Sequence, residues 1–234
     1  MGQRAEHDFP GVNCGIMDQY ANMLGKNDKV ILLDCRNITH EHIPLNIEGY
    51  EIVLINTKVH HSLASSAYNQ RRKECEEGLK ILKELKGIES FRDIQGSAEL
   101  LTFKEKMSGD VFKRCLFVVE EISRTREAAG LLKKNEIKAF GKLMFETHEG
   151  LKNLYEVSCK ELDFLVDAAA KDINVVGSRL MGGGFGGSSI NIIKSEGVES
   201  FLSDVLPSYK NKFGIDAEVY KVKVVDGTKE VVED

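Results

Sequence analysis

The sequence predicts an α+β fold, and three observations carry that prediction. Short β-branched runs cluster early, at residues 30–34, 43–47 and 51–57. Amphipathic helical stretches then follow one another from about residue 66 to residue 171, and a strand, a helix and a strand close the chain between 189 and 225. Strict alternation would point to a doubly wound parallel sheet; this segregated order points to α+β.

Composition sets the frame. The chain has 234 residues, of which 42% are hydrophobic and 29% charged, enough for one large core or two modest ones. A net charge of −5 argues against a nucleic-acid or anionic-membrane surface. No apolar run reaches the eighteen residues that would mark a transmembrane helix. The opening MGQRAEHDF carries no apolar signal segment, so a cytoplasmic location is expected. Cys14, Cys35, Cys75, Cys115 and Cys159 are scattered and form no C-x-x-C pair, the pattern of reduced structural thiols.

The elements can be justified in order. Residues 2–25 are rich in Ala, Met, Glu and Gln and read as two helical pieces interrupted by Pro10-Gly11, the second running Ile16–Leu24 and stopped by Gly25. VILLD (30–34), IPLNI (43–47) and EIVLINT (51–57) are strands by β-branching and length. Helical spacing returns over about 66–85, 110–133, 137–155 and 159–171. In the second of these, Cys115, Val118, Val119 and Ile122 make one buried stripe. After a glycine loop come a strand at 189–193, a helix at about 198–213 and a strand at 217–225, and the tail DGTKEVVED is expected to fray. The weakest link lies around residues 46–49, so 1–48 and 49–234 are expected to be separate structural units.

Three stretches could carry chemistry. GGGFGG (182–187) removes almost every Cβ from six residues of backbone, which allows positive φ and lets amides line up on an anion. A tight turn between two strands would also require glycine, but a run this dense favours phosphate or nucleotide contact. It is neither a Walker A loop nor a dinucleotide fingerprint, since no Gly-Lys-Ser/Thr follows and no strand–helix unit surrounds it. CGIMDQ (14–19) places Asp18 at the head of an apolar segment, as a general base, as an oriented anion, or as a helix N-cap, the last being the commoner use. HSLASSAYNQRRKECEEG (61–78) carries Tyr68 and then Arg72 to Glu77, which read as a solvated helix face of opposite charges. Tyr68 fits a buried tyrosine with one hydrogen bond as well as a ligand contact. His40 and His42 read as flanking an exposed turn, His148 as a surface or half-buried helix residue, and Ser65-Ser66 has no His or Asp arrangement to activate it.

Taken in order, QRAEHDFPGVNCGIMDQYANMLGK, HSLASSAYNQRRKECE and GSRLMGGGFGG closely resemble the galactokinases of the GHMP sugar-kinase family. LMFETHEGLKNLYEVSCKELDFLV (143–166) is similar to the segment before the glycine loop in the same enzymes. The resemblance runs from Gln3 to about Lys221, and CGIMDQ and SSAYNQRR favour galactokinases over mevalonate or homoserine kinases, with N-acetylgalactosamine kinase the nearest competitor. It implies a C-terminal GHMP-kinase domain with a helix-covered antiparallel sheet over 49–234, preceded by a remnant of the N-terminal domain at 1–48.

Carried over by position, the resemblance makes Asp18 the catalytic carboxylate facing the anomeric hydroxyl of galactose, with Gly15 and Tyr68 as further sugar contacts. It makes Glu6 the acid that helps place Mg²⁺, and puts Gly182, Gly183, Gly184, Gly186 and Gly187 beside the phosphates of ATP. A Gly-Glu-His-Thr-Asp sugar signature, a serine-rich phosphate loop and an arginine paired with the catalytic aspartate belong to the same pattern and do not occur in these residues. Met181 and Ser188 stand where threonine and cysteine are common. The expectation is therefore a galactokinase part that works with an N-terminal segment and turns over little alone. A non-catalytic sugar and nucleotide sensor, or a structural remnant with no ligand, are the competing readings.

Overall fold

The computed structural model describes residues 2–9, 11, 14–60 and 64–230; Pro10, the expected helix breaker, lies outside them. Two short helices lead, α1 (Gly2–Asp8) and α2 (Met17–Leu24), followed by the hairpin β1 (Lys29–Asp34) and β2 (Thr39–Pro44). Strand β3 (Tyr50–His60) leads into a helical section of α3 (Ala64–Lys86), α4 (Ser97–Leu101), α5 (Gly109–Lys133), α6 (Ile137–Asn153) and α7 (Lys160–Ala169). The chain then runs through β4 (Val175–Leu180), β5 (Gly186–Lys194), α8 (Val198–Phe213) and β6 (Glu218–Val222).

Four of these strands form an antiparallel sheet in the order β4-β5-β3-β6. Its two-residue alternation sorts neighbouring side chains onto opposite faces. Val53, Ile55 and Ile193 join Leu165, Phe201, Val205 and Tyr209 under α7 and α8. Their neighbours Ile52 and Ile192 pack on the other face with Ala129, Leu132, Ile137 and Met144 of α5 and α6, and with Ile43 and Leu45 from the hairpin. This is the helix-covered antiparallel sheet of an α+β fold.

Three details differ from the sequence reading. IPLNI is mostly not a strand: β2 pairs Thr39–Pro44 with β1, and the Leu45 amide turns back to the Asp28 carbonyl at 2.9 Å. The paired residues THEH are polar because that part of the strand faces solvent, so apolarity pointed too far along the chain. His40 and His42 accordingly lie two apart on β2 rather than flanking a turn, and they reach Tyr20 Oη at 2.8 Å and the Leu24 carbonyl at 2.7 Å. The tail is tied down as far as Thr228, whose amide donates to the Asn22 carbonyl at 2.7 Å while the Gly227 amide donates to Gly25 at 2.9 Å.

Candidate functional site

The glycine loop is the turn between β4 and β5. Its backbone is left-handed at Gly182, Gly184, Phe185, Gly186 and Gly187, where φ lies between 55° and 117°. Two kinds of glycine share it. At Gly184 a Cβ would sit 2.2 Å from the Val157 carbonyl oxygen, and at Gly186 2.5 Å from that of Val59, so the protein's own backbone excludes a side chain there. At Gly182 and Gly187 a Cβ would meet nothing within 4 Å. The amides of Gly182 and Gly183 donate to no described residue. Together they form a short stretch of open donors of the kind that cradles an anion.

The structure brings Tyr68 to this loop. A Cβ on Gly183 would lie 3.6 Å from Cδ2 of the Tyr68 ring, so the half-buried tyrosine on α3 flanks the open part of the turn. Residues 61–63 and the side chains of 64–66, with Ser65 and Ser66, lie outside what is described.

The loop is held from both ends. The amide of Leu180, the last residue of β4, donates to His148 Nδ1 at 3.2 Å, which leaves the ring proton on Nε2, 3.3 Å from Asp163 Oδ1. Ser158 Oγ donates to the same carboxylate oxygen at 2.6 Å. Burial pushes the Asp163 carboxyl up, but the bonds from His148 and Ser158 outweigh it and hold the group below its ordinary range. His148 is fully buried, not a surface residue, because α6 turns that face onto β4. At the far end the Phe185 amide donates to the Val157 carbonyl at 2.6 Å, and Thr57 Oγ1 donates to the Gly187 carbonyl at 2.8 Å. Phe185 itself packs on Val157, Leu162, Leu180 and Phe117 beneath the loop.

Glu6, Gly15 and Asp18 sit elsewhere along the chain, on α1, α2 and the segment between them. Gln3 Nε2 donates to the Cys14 carbonyl at 3.1 Å and His7 Nε2 reaches the same oxygen at 3.0 Å, which sets α1 against the approach to α2. Asp18 is not the N-cap that helix statistics favour. Ile16 holds that position, and Asp18 stands exposed in the first turn, where the helix dipole favours a carboxylate. Glu6 is exposed as well. Among the described residues no hydrogen bond or ion pair joins either carboxylate to Tyr68 or to the loop.

One group of residues escaped the sequence reading. Arg72 pairs with Glu76 at 3.2 Å on an exposed face, as expected for a solvated helix. Glu74 does not belong to that face: it is 12% exposed and meets the buried Arg114 of α5 at 2.8 Å. Arg114 also binds Glu156 at 2.7 Å. The available signal was spacing, since position 114 falls three residues after Val111 within the buried stripe of α5.

Residues 128–211 match the family described as GHMP kinases C terminal. A galactokinase of Thermotoga petrophila is 42% identical over 231 residues, 99% of this chain and 63% of its own length. Residues 128–211 are thus a GHMP-kinase C-terminal region. A galactokinase of Clostridium acetobutylicum is also 42% identical, over 99% of this chain and 59% of the relative. The crystal structure of Lactococcus lactis galactokinase complexed with galactose superposes with a TM-score of 0.92 at 33% identity, covering 98% of this chain and 59% of that one. The chain spans about three-fifths of the length of the galactokinases it resembles. Among its described residues no helix is long and apolar enough to cross a membrane.

Proposed function

We propose that this chain forms part of a galactokinase, which transfers a phosphoryl group from ATP to the C1 hydroxyl of galactose. The observation that carries the reading is the turn itself: Tyr68 flanks Gly183, whose amide, like that of Gly182, donates to no described residue, so the candidate phosphate turn and the candidate sugar contact are neighbours. That arrangement fits a transferred phosphate next to its acceptor. In this reading the loop from Gly182 to Gly187 lies against the ATP phosphates, while Gly15, Asp18 and Tyr68 contact galactose. Asp18, exposed at the head of α2, orients the attacking hydroxyl or takes its proton. The exposed carboxylate of Glu6 is an oxygen ligand of the type Mg²⁺ takes, and the ion would neutralise phosphate charge. Residues 1–48 act as part of the N-terminal domain and 49–234 as the C-terminal domain. Phosphoryl transfer depends on positioning and charge stabilisation, and losing one preorganised donor already costs about a hundredfold. The chain by itself is therefore expected to turn over little, for want of the Gly-Glu-His-Thr-Asp signature, the serine-rich loop and the paired arginine.

The test is production of galactose-1-phosphate from galactose and Mg·ATP. It is run with the chain alone, and again with the N-terminal portion of a galactokinase relative supplied in trans or by fusion. Activity restored by that portion supports the reading. Turnover of N-acetylgalactosamine in place of galactose would shift the substrate. Nucleotide and sugar binding without turnover in the complemented protein would favour a sensor.

A further inference from the structure

The sequence motifs do not account for the buried arginine beneath the site. We propose that Arg114 is a positioning residue that locks the Tyr68 helix and the glycine loop into a single register. Its functional half rests on the galactokinase reading above; its structural half does not.

Arg114 is 1% exposed, yet each of its three guanidinium nitrogens donates a hydrogen bond. Nε donates to Glu74 Oε2 at 2.8 Å, one terminal nitrogen donates to Glu156 Oε2 at 2.7 Å, and the other donates to the Leu154 carbonyl. Glu74 is on α3, the helix of Tyr68. Leu154 and Glu156 belong to the segment ending at Val157, whose carbonyl receives the Phe185 amide and fills the space where a Gly184 side chain would go. One side chain from a third helix therefore grips the supports of both halves of the turn. Arg71, three residues after Tyr68, repeats the link with bonds to the Glu156 carbonyl at 3.4 Å and to Glu74 at 3.3 Å. Lys113 Nζ completes the cluster at 3.0 Å from Glu156 Oε1.

The chemistry suits a clamp. A planar guanidinium can serve three acceptors in fixed directions, which a lysine ammonium on the same stem cannot reproduce. Arg114 and Lys113 hold the Glu156 carboxyl down at about 2 against a smaller burial effect. At Glu74 burial acts first and upward, but bonds from Arg114 and Gln70 reverse it. Glu156 itself has a left-handed backbone, with φ of 55°. A buried ion cluster that served stability alone could join any two elements. This one joins the helix that carries Tyr68 to the segment that supports the glycine loop.

The test compares Arg114→Lys and the milder Glu156→Gln with the wild-type chain by residue-resolved amide hydrogen exchange and by Mg·ATP binding. Losing a charge-assisted bond is expected to speed exchange at Phe185 and over residues 68–72 together by about tenfold, leaving the β1–β2 hairpin and α8 nearly unchanged. Mg·ATP affinity is expected to fall in the same variants. Unchanged exchange at the loop and α3, or a uniform rise at every amide, would overturn the proposal. So would looser exchange with wild-type Mg·ATP affinity. Mg·ATP affinity is measured in the protein complemented with the N-terminal portion; if that wild-type complex binds no Mg·ATP, the galactokinase reading is what fails, and the exchange data alone decide whether Arg114 sets the register.

Discussion

The two regions that bear the candidate residues are built differently. α1 and α2 bury no residue, and Phe9, Met17 and Met23 are 90%, 59% and 62% exposed. The glycine loop rests on a layered interior in which Val157, Leu162 and Leu180 are at most 1% exposed. Around the loop, backbone bonds, a buried histidine and an arginine cluster fix each atom. Around Asp18, a few bonds at the surface set the position of a short helix. The difference teaches that one part of the candidate site is organised by its own core, whereas Glu6 and Asp18 stand on helices that bury no residue.

The contrast can be broken most directly in the interior. Phe201→Ala, at a side chain 2% exposed between sheet and helices, is expected to cost about 3–5 kcal/mol in denaturant unfolding. A cost below about 1 kcal/mol would mean that the body is not the rigid partner described here.

Within the loop, Gly184→Ala must accept left-handed strain of about 1–2 kcal/mol and also push the Val157 carbonyl aside, so it should destabilise more than Gly182→Ala. Gly182→Ala bears the strain alone. Equal losses in thermal unfolding would erase the distinction between fold-determined and open glycines.

A gentler probe is acid. Glu156 and Glu74 have folded-state values below the ordinary 4.5, so the stability they contribute is complete above that value and is lost as pH falls, for Glu156 towards about pH 2. Denaturant midpoints measured over that range should fall less steeply in Glu156→Gln than in wild type; identical slopes would show that the cluster is not linked to folding. The smallest effect is expected at the other end of the contrast. Met17→Ser should change stability by no more than about 0.5 kcal/mol in the same unfolding experiment, and a larger loss would show α2 to be packed after all.

Much of this architecture was legible. α8 is read from helical period alone, and α5 and α6 nearly to their ends, because most positions on their buried faces are apolar and recur at helical spacing. β4 was not read as a strand, since Gly177 and Arg179 interrupt its β-branched run. At the site, the glycines and Tyr68 stood out by composition and resemblance, and their contact is new information from the fold. Arg114 did not stand out, because along one helix a buried arginine looks like its exposed neighbour Arg126. Its role appears only when α3 and the 154–157 segment close over it. His148 was hidden for the same reason: its partners, Leu180 and Asp163, come from other elements.

The bond from the Thr228 amide to the Asn22 carbonyl links positions 206 residues apart. Such a contact is expected to form after the intervening chain has been ordered, because closing so wide a loop offers only a few exposed bonds against the entropic loss. In a refolding time course α2 should therefore dock late. In the native ensemble the same tether should be the first to release, setting Asp18 free on its short helix while the sheet behind the glycine turn stays closed.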